Sequence, residues 1–132
     1  HIDASDPGSL IEMFREEKDA CLLGTDALRD GIDVPGLSLR TVVMDRVPWP
    51  RPDIIHKSRR TAFGGRAYDE QLVRLKLRQA FGRLIRRQTD KGVFVMLDGS
   101  LPTRLTTAFP GGVEVERLGL QEALGAVEGF FQ

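Results

Sequence analysis

The segment Gln79-Ala80-Phe81-Gly82-Arg83-Leu84-Ile85-Arg86 holds the residue types and spacing in this chain best suited to chemistry. A guanidinium stays charged at any relevant pH and meets phosphate oxygens through a planar fork of N–H donors. Arg83 and Arg86 on one face of a helix would clamp a terminal phosphate, with Gln79 one turn earlier in the same polar row. Gly82 costs a helix about 1 kcal/mol relative to alanine, and in exchange lets a ligand or a second backbone come close. A plainer reading of the same residues is the solvated basic face of a surface helix.

Upstream runs Gly24-Thr25-Asp26-Ala27-Leu28-Arg29-Asp30-Gly31-Ile32-Asp33-Val34-Pro35-Gly36. Thr25 offers a hydroxyl and backbone N–H groups to an anion, and Asp33 offers a carboxylate acceptor. Glycine-rich loops of this kind are common when met singly. Further on, Pro48-Trp49-Pro50-Arg51-Pro52 excludes regular helix through its three prolines and makes a stiff, extended loop. Trp49 there can stack on an exposed base of single-stranded nucleic acid, or can pack the loop onto the domain. His56 has no second His, Cys or acidic cluster at metal-ligand spacing, and no catalytic role is assigned to it.

The elements that must position these residues read as alternating strands and helices. Residues 9–17 form an amphipathic helix, with Ser9 as N-cap, Glu12 completing a capping box, and Leu10, Met13 and Phe14 on one face. Ala20-Cys21-Leu22-Leu23, Thr41-Val42-Val43-Met44 and Val93-Phe94-Val95-Met96-Leu97 are short apolar runs suited to buried parallel strands. Each stops at a polar residue or a Gly-Thr turn, marking the carboxyl edge of the sheet, where ligands collect in open α/β folds. From about Glu70 to Arg87, Val73, Leu77, Ala80, Phe81, Leu84 and Ile85 recur at helical spacing, with Gln79, Arg83 and Arg86 opposite them. Pro110-Gly111-Gly112 is a turn, Val113–Glu116 alternates like an edge strand, and Gln121–Phe131 is a closing helix. The expectation is one α/β domain over residues 1–132, three-layered, with a mostly parallel sheet between helices.

With 132 residues, 41% hydrophobic and 29% charged, the composition is that of a soluble globular protein. No run approaches the roughly 20 apolar residues of a membrane span, so a cytoplasmic protein without membrane association is expected. Cys21 is the only cysteine, which rules out an internal disulfide or an iron–sulfur cluster or zinc site built from several thiolates in this segment. Its apolar setting suggests a buried structural thiol. The net charge of zero hides a segregation: Arg51 to Lys91 holds 12 Lys and Arg against 4 Asp and Glu, a balance of +8, and the remainder balances at −8. The basic stretch is a candidate anion-binding surface.

Taken in order, these segments resemble helicases. Q-x-x-G-R-x-x-R, from Gln79 to Arg86, resembles motif VI of superfamily-two helicases, and the Gly24–Gly36 segment resembles motif V. Val34-Pro35-Gly36 followed by Val43-Met44-Asp45-Arg46-Val47-Pro48-Trp49-Pro50, and then Leu75 to Asp98, is similar to the DinG/XPD family. The likeness covers most of residues 10–110. It departs at Arg29-Asp30, where members carry an aromatic–Glu pair, and at Gly99, where an arginine is usual.

The resemblance implies the second RecA-like domain of an ATP-dependent DNA helicase, bacterial in type. It implies Arg83 and Arg86 as arginine fingers, Gln79 as nucleotide sensor, and Gly82, Gly31 and Asp33 beside the nucleotide. Gly24, Thr25, Trp49 and Arg51 would contact single-stranded DNA. No Walker A sequence or Asp-Glu magnesium box occurs, so the ATP and Mg2+ sites would be completed by a first RecA-like domain of the same polypeptide. A non-enzymatic nucleic-acid-binding module and the second domain of an RNA helicase are the rival readings.

Overall fold

The computed structural model describes residues 6–24, 34 and 39–132. Thr25, Gly31 and Asp33 lie outside these described residues, as do the intervening positions and Pro35-Gly36.

Helix α1 spans Pro7–Glu16, and its N-cap is Asp6, three residues earlier than the expected Ser9. The Asp6 carboxylate accepts the backbone N–H groups of Gly8 and Ser9 at 3.2 and 3.3 Å, and the Ser9 hydroxyl at 3.0 Å. The carboxylate satisfies two of the free N–H groups of the first turn, and Pro7 gives up no hydrogen bond there. Phe14 is buried while Met13 remains exposed.

The expected strand at Ala20–Leu23 is absent: this run carries no strand pairing, Leu23 is 92% exposed, and the Cys21 thiol is exposed, not buried. An apolar run proposes burial but does not by itself supply a ladder partner. The other two strands form where they were expected, β1 over Thr41–Met44 and β2 over Val93–Met96, and they pair with each other. The Val93 N–H donates to the Arg40 carbonyl at 3.0 Å and the Leu97 N–H to the Met44 carbonyl at 2.9 Å. Both strands advance together through these bonds, which is the register of a parallel pair.

A parallel pair needs a long crossover, and two helices occupy it. Helix α2, Ile54–Phe63, was not foreseen; Asp53 caps it by accepting the His56 N–H at 2.6 Å, and Gly64 ends it at φ +105. Helix α3 runs over Arg66–Leu84, starting earlier and ending earlier than the expected 70–87. Its buried row is Val73, Leu77, Ala80 and Leu84, the apolar spacing read from the sequence. After β2 come a 3-10 helix over Thr103–Ala108 and helix α4 over Leu120–Phe131. Val113–Glu116 is exposed and forms no edge strand. Helices with a small parallel sheet make an α/β arrangement.

Two compact units divide the described residues. The first, up to Val43 with Gln79–Val95, buries Phe14, Val34, Ala80 and Leu84; the second, Met44–Arg78 with Met96–Gln132, buries Val47, Val73, Leu77, Leu101, Leu105 and Ala108. Among the described residues no helix is long and apolar enough to cross a membrane.

Candidate functional site

In the first unit, the last turns of α3 carry Gln79, Gly82 and Arg83. Gln79 and Gly82 are exposed and Arg83 is half-buried. Gln79 and Arg83 are four residues apart and share a helix face. A Cβ built on Gly82 would meet nothing within 4 Å, so the described chain makes no steric demand for glycine there.

Arg86 departs from the expected geometry. The helix closes at Leu84, with a last helical bond from the Ile85 N–H to the Phe81 carbonyl at 3.1 Å, and exposed Arg86 follows it. The cause is Asp90, whose Oδ2 accepts the backbone N–H groups of Arg86 and Arg87, each at 2.9 Å. These N–H groups are thereby held out of the helical ladder, and the two bonds keep the Asp90 carboxyl below its ordinary range. Arg83 and Arg86 therefore sit on a helix end and on the turn after it, not on one continuous face. The signal for this turn in the sequence is Thr89-Asp90-Lys91-Gly92, a cluster of turn-forming residues.

In the second unit, the loop after β1 runs without regular structure through Pro48, Trp49, Pro50, Arg51 and Pro52, as its prolines require. Val47 and Pro48 are buried, Trp49 is 39% exposed and Arg51 is exposed. The Trp49 N–H turns back onto the Val47 carbonyl at 2.8 Å. The base of this loop is gripped by Asp98, just past β2. Asp98 Oδ2 accepts the Val47 N–H at 3.0 Å, and Oδ1 accepts the Ser100 N–H at 2.9 Å and its hydroxyl at 2.6 Å. Led by the Ser100 hydroxyl, these donors push the Asp98 pKa down to about 2.

Several cations of the basic stretch are used inside the second unit. Glu70 draws Arg104 at 2.5 Å, Arg66 at 3.5 Å and Arg74 at 3.8 Å, with Arg104 the main reason its carboxyl titrates low. Arg60 pairs with Asp69 at 2.8 Å, and Arg78 donates to the Ala108 carbonyl at 3.3 Å. His56 stacks on Tyr68 with ring centres 5.9 Å apart, and its Nε2 lies 2.9 Å from Asp69 Oδ1 without hydrogen-bond alignment. Gly24 is exposed and outside regular structure. Among the described residues no group of His, Cys, Asp and Glu could hold a metal ion.

A family model described as helicase C-terminal domain matches residues 1–115. The chain is 41% identical over 102 residues to a Mycobacterium tuberculosis protein named ATP-dependent helicase DinG, covering 72% of this chain and 15% of the relative. It is 35% identical over 104 residues to ATP-dependent DNA helicase YoaA of Escherichia coli, covering 74% and 16%. With the 3'-5' exonuclease DinG of Bacillus subtilis it shares 33% identity over 111 residues, covering 77% and 12%. The chain thus spans between 12% and 16% of the length of these relatives. No solved structure matches it.

Proposed function

This chain belongs to the helicase C-terminal domain family, among DinG-type relatives, and from that membership we propose that it is the second motor domain of an ATP-dependent DNA helicase. In this reading residues 1–132 are one three-layer RecA-like domain. A first RecA-like domain of the same polypeptide brings the phosphate-binding loop, and ATP lies between the two. Arg83 and Arg86 act as arginine fingers on charge developing at the transferred phosphoryl group, with Gln79 sensing the nucleotide. Gly82, Gly31 and Asp33 line the nucleotide side, and Gly24, Thr25, Trp49 and Arg51 meet single-stranded DNA.

Mg2+ would enter with ATP to neutralise phosphate charge. In this reading the chain's own contribution to the phosphates comes from the guanidinium groups of Arg83 and Arg86. Opening and closing of the cleft would tighten and release the grip on the DNA backbone, turning hydrolysis into stepping.

The observation that carries the reading is Gly82. It lies in the last turn of a 19-residue helix, exposed, and a Cβ added there would meet nothing described within 4 Å, so the surface beside Arg83 is open. That opening leaves room for a nucleotide or the other domain to come close immediately beside Arg83.

The test is Arg83→Ala in the intact helicase. ATP turnover is expected to fall by about a thousandfold or more, with affinity for single-stranded DNA held within a few-fold. Turnover preserved while DNA binding weakens and its salt slope drops by about one unit would instead make Arg83 a phosphate-backbone contact, as in a non-enzymatic binding module.

A further inference from the structure

We propose that Asp98 is the positioning residue of the Trp49 loop. Its carboxylate anchors Val47 and thereby fixes how Trp49 and Arg51 are presented to single-stranded DNA. The proposal rests on the nucleic-acid reading of that loop given above.

The geometry is that of a clasp between two strand ends. One oxygen of Asp98 holds the backbone N–H of Val47 beyond β1; the other holds the N–H and hydroxyl of Ser100 beyond β2. Three donors on one carboxylate leave it little freedom to rotate, and the Ser100 bonds aim Oδ2 at the loop. On the far side, Arg117 braces the same turn by donating to the Leu101 carbonyl at 2.6 Å and to the Thr103 hydroxyl at 3.3 Å.

Orientation set at Val47 reaches Trp49 because the chain between them is stiff. Val47 and Pro48 are buried, and the Trp49 N–H folds back onto Val47. Prolines at 48, 50 and 52 fix their own φ near −65° and restrict the residues before them, including Val47, Trp49 and Arg51. Few soft torsions remain between the anchor and the exposed ring and guanidinium. A neutral amide cannot replace the carboxylate, since its nitrogen would face an N–H donor at either Val47 or Ser100.

Trp49 is the only tryptophan in the chain, so 5-fluorotryptophan labelling gives one 19F resonance that reports the loop. In the 132-residue chain, Asp98→Asn is expected to move that resonance, to speed amide exchange at Val47 by about tenfold or more, and to weaken oligo(dT) binding by about tenfold. Asp45→Asn, which removes a charge from the exposed residue just after β1, should leave all three unchanged. An unmoved resonance and unchanged Val47 exchange in Asp98→Asn would overturn the anchor. If Asp98→Asn fails to fold, Val47 exchange in the unsubstituted chain decides: protection supports the anchor, and exchange at the rate of an open amide overturns it. Separately, Trp49→Ala with undiminished oligo(dT) binding would overturn the nucleic-acid reading and, with it, the presentation role of Asp98.

Discussion

Gly82 separates stability from function at the scale of a single residue. A methyl group added there meets no described atom within 4 Å, so alanine restores helix propensity without a clash inside the chain. Gly82→Ala is expected to raise the unfolding free energy in denaturant titration, by less than the roughly 1 kcal/mol of a helix interior because the position lies in the last turn. If the proposed motor role holds, it should lower ATP turnover of the full-length protein by about tenfold or more, because the methyl occupies the space an approaching nucleotide or domain needs. A stabilised variant with undiminished turnover would mean that nothing comes close at that turn. The arginines beside it stood out through the resemblance of their motif, and their spacing placed both on one helix face, which the turn at Asp90 does not allow; Asp90 acts on the Arg86 and Arg87 backbone and leaves no periodic trace.

Among the elements, the end of α3 and the turn after it are locked by packing as well as by Asp90. A Cβ at Gly92 would meet Leu84 Cδ1 at 2.5 Å, and Leu84 is itself buried. Gly92→Ala should therefore destabilise the chain by about 1–3 kcal/mol, read as a lower denaturant midpoint with an unchanged slope. An unaltered midpoint would show that Leu84 moves aside without cost. Helix α2 escaped the sequence reading for a related reason. It buries no residue, so its apolar positions Ile54, Ile55 and Phe63 follow no core-facing stripe. Its signals were the Asp53 cap and the Gly64-Gly65 stop, both punctuation and neither periodic.

At the scale of the molecule, four carboxylates among the described residues titrate below their ordinary range. Asp6 is held down by the N–H of Gly8, Glu70 by Arg104, Asp90 by the N–H of Arg86, and Asp98 by the Ser100 hydroxyl. Each binds its proton less readily folded than unfolded. Their contribution is complete above the ordinary values of 3.8 and 4.5 and is lost as pH falls, for Asp98 through about 2. The denaturant midpoint should thus decline steadily from about pH 5 to about pH 2, and a flat profile would contradict these contacts. The chain on its own is expected to bind ATP poorly and to hydrolyse none, since the phosphate-binding loop is absent from its sequence; turnover by the purified chain, free of contaminating ATPase, would overturn the half-site reading. What the amino-acid order determined by itself was local: the valine-rich strands that close shortly before Asp45 and Asp98, the proline-stiffened loop, the buried row of α3, and the motifs that resemble those of helicases. The strands, the loop and the buried row follow from periodicity and fixed torsions, which need no partner distant in sequence, whereas the helicase motifs speak through their resemblance to a known family. Only the tertiary structure decided that Cys21 lies exposed and that Val47 is held by Asp98, some fifty positions away in the chain. Such contacts depend on which strands pair and in what register, and no local pattern of residues encodes that pairing.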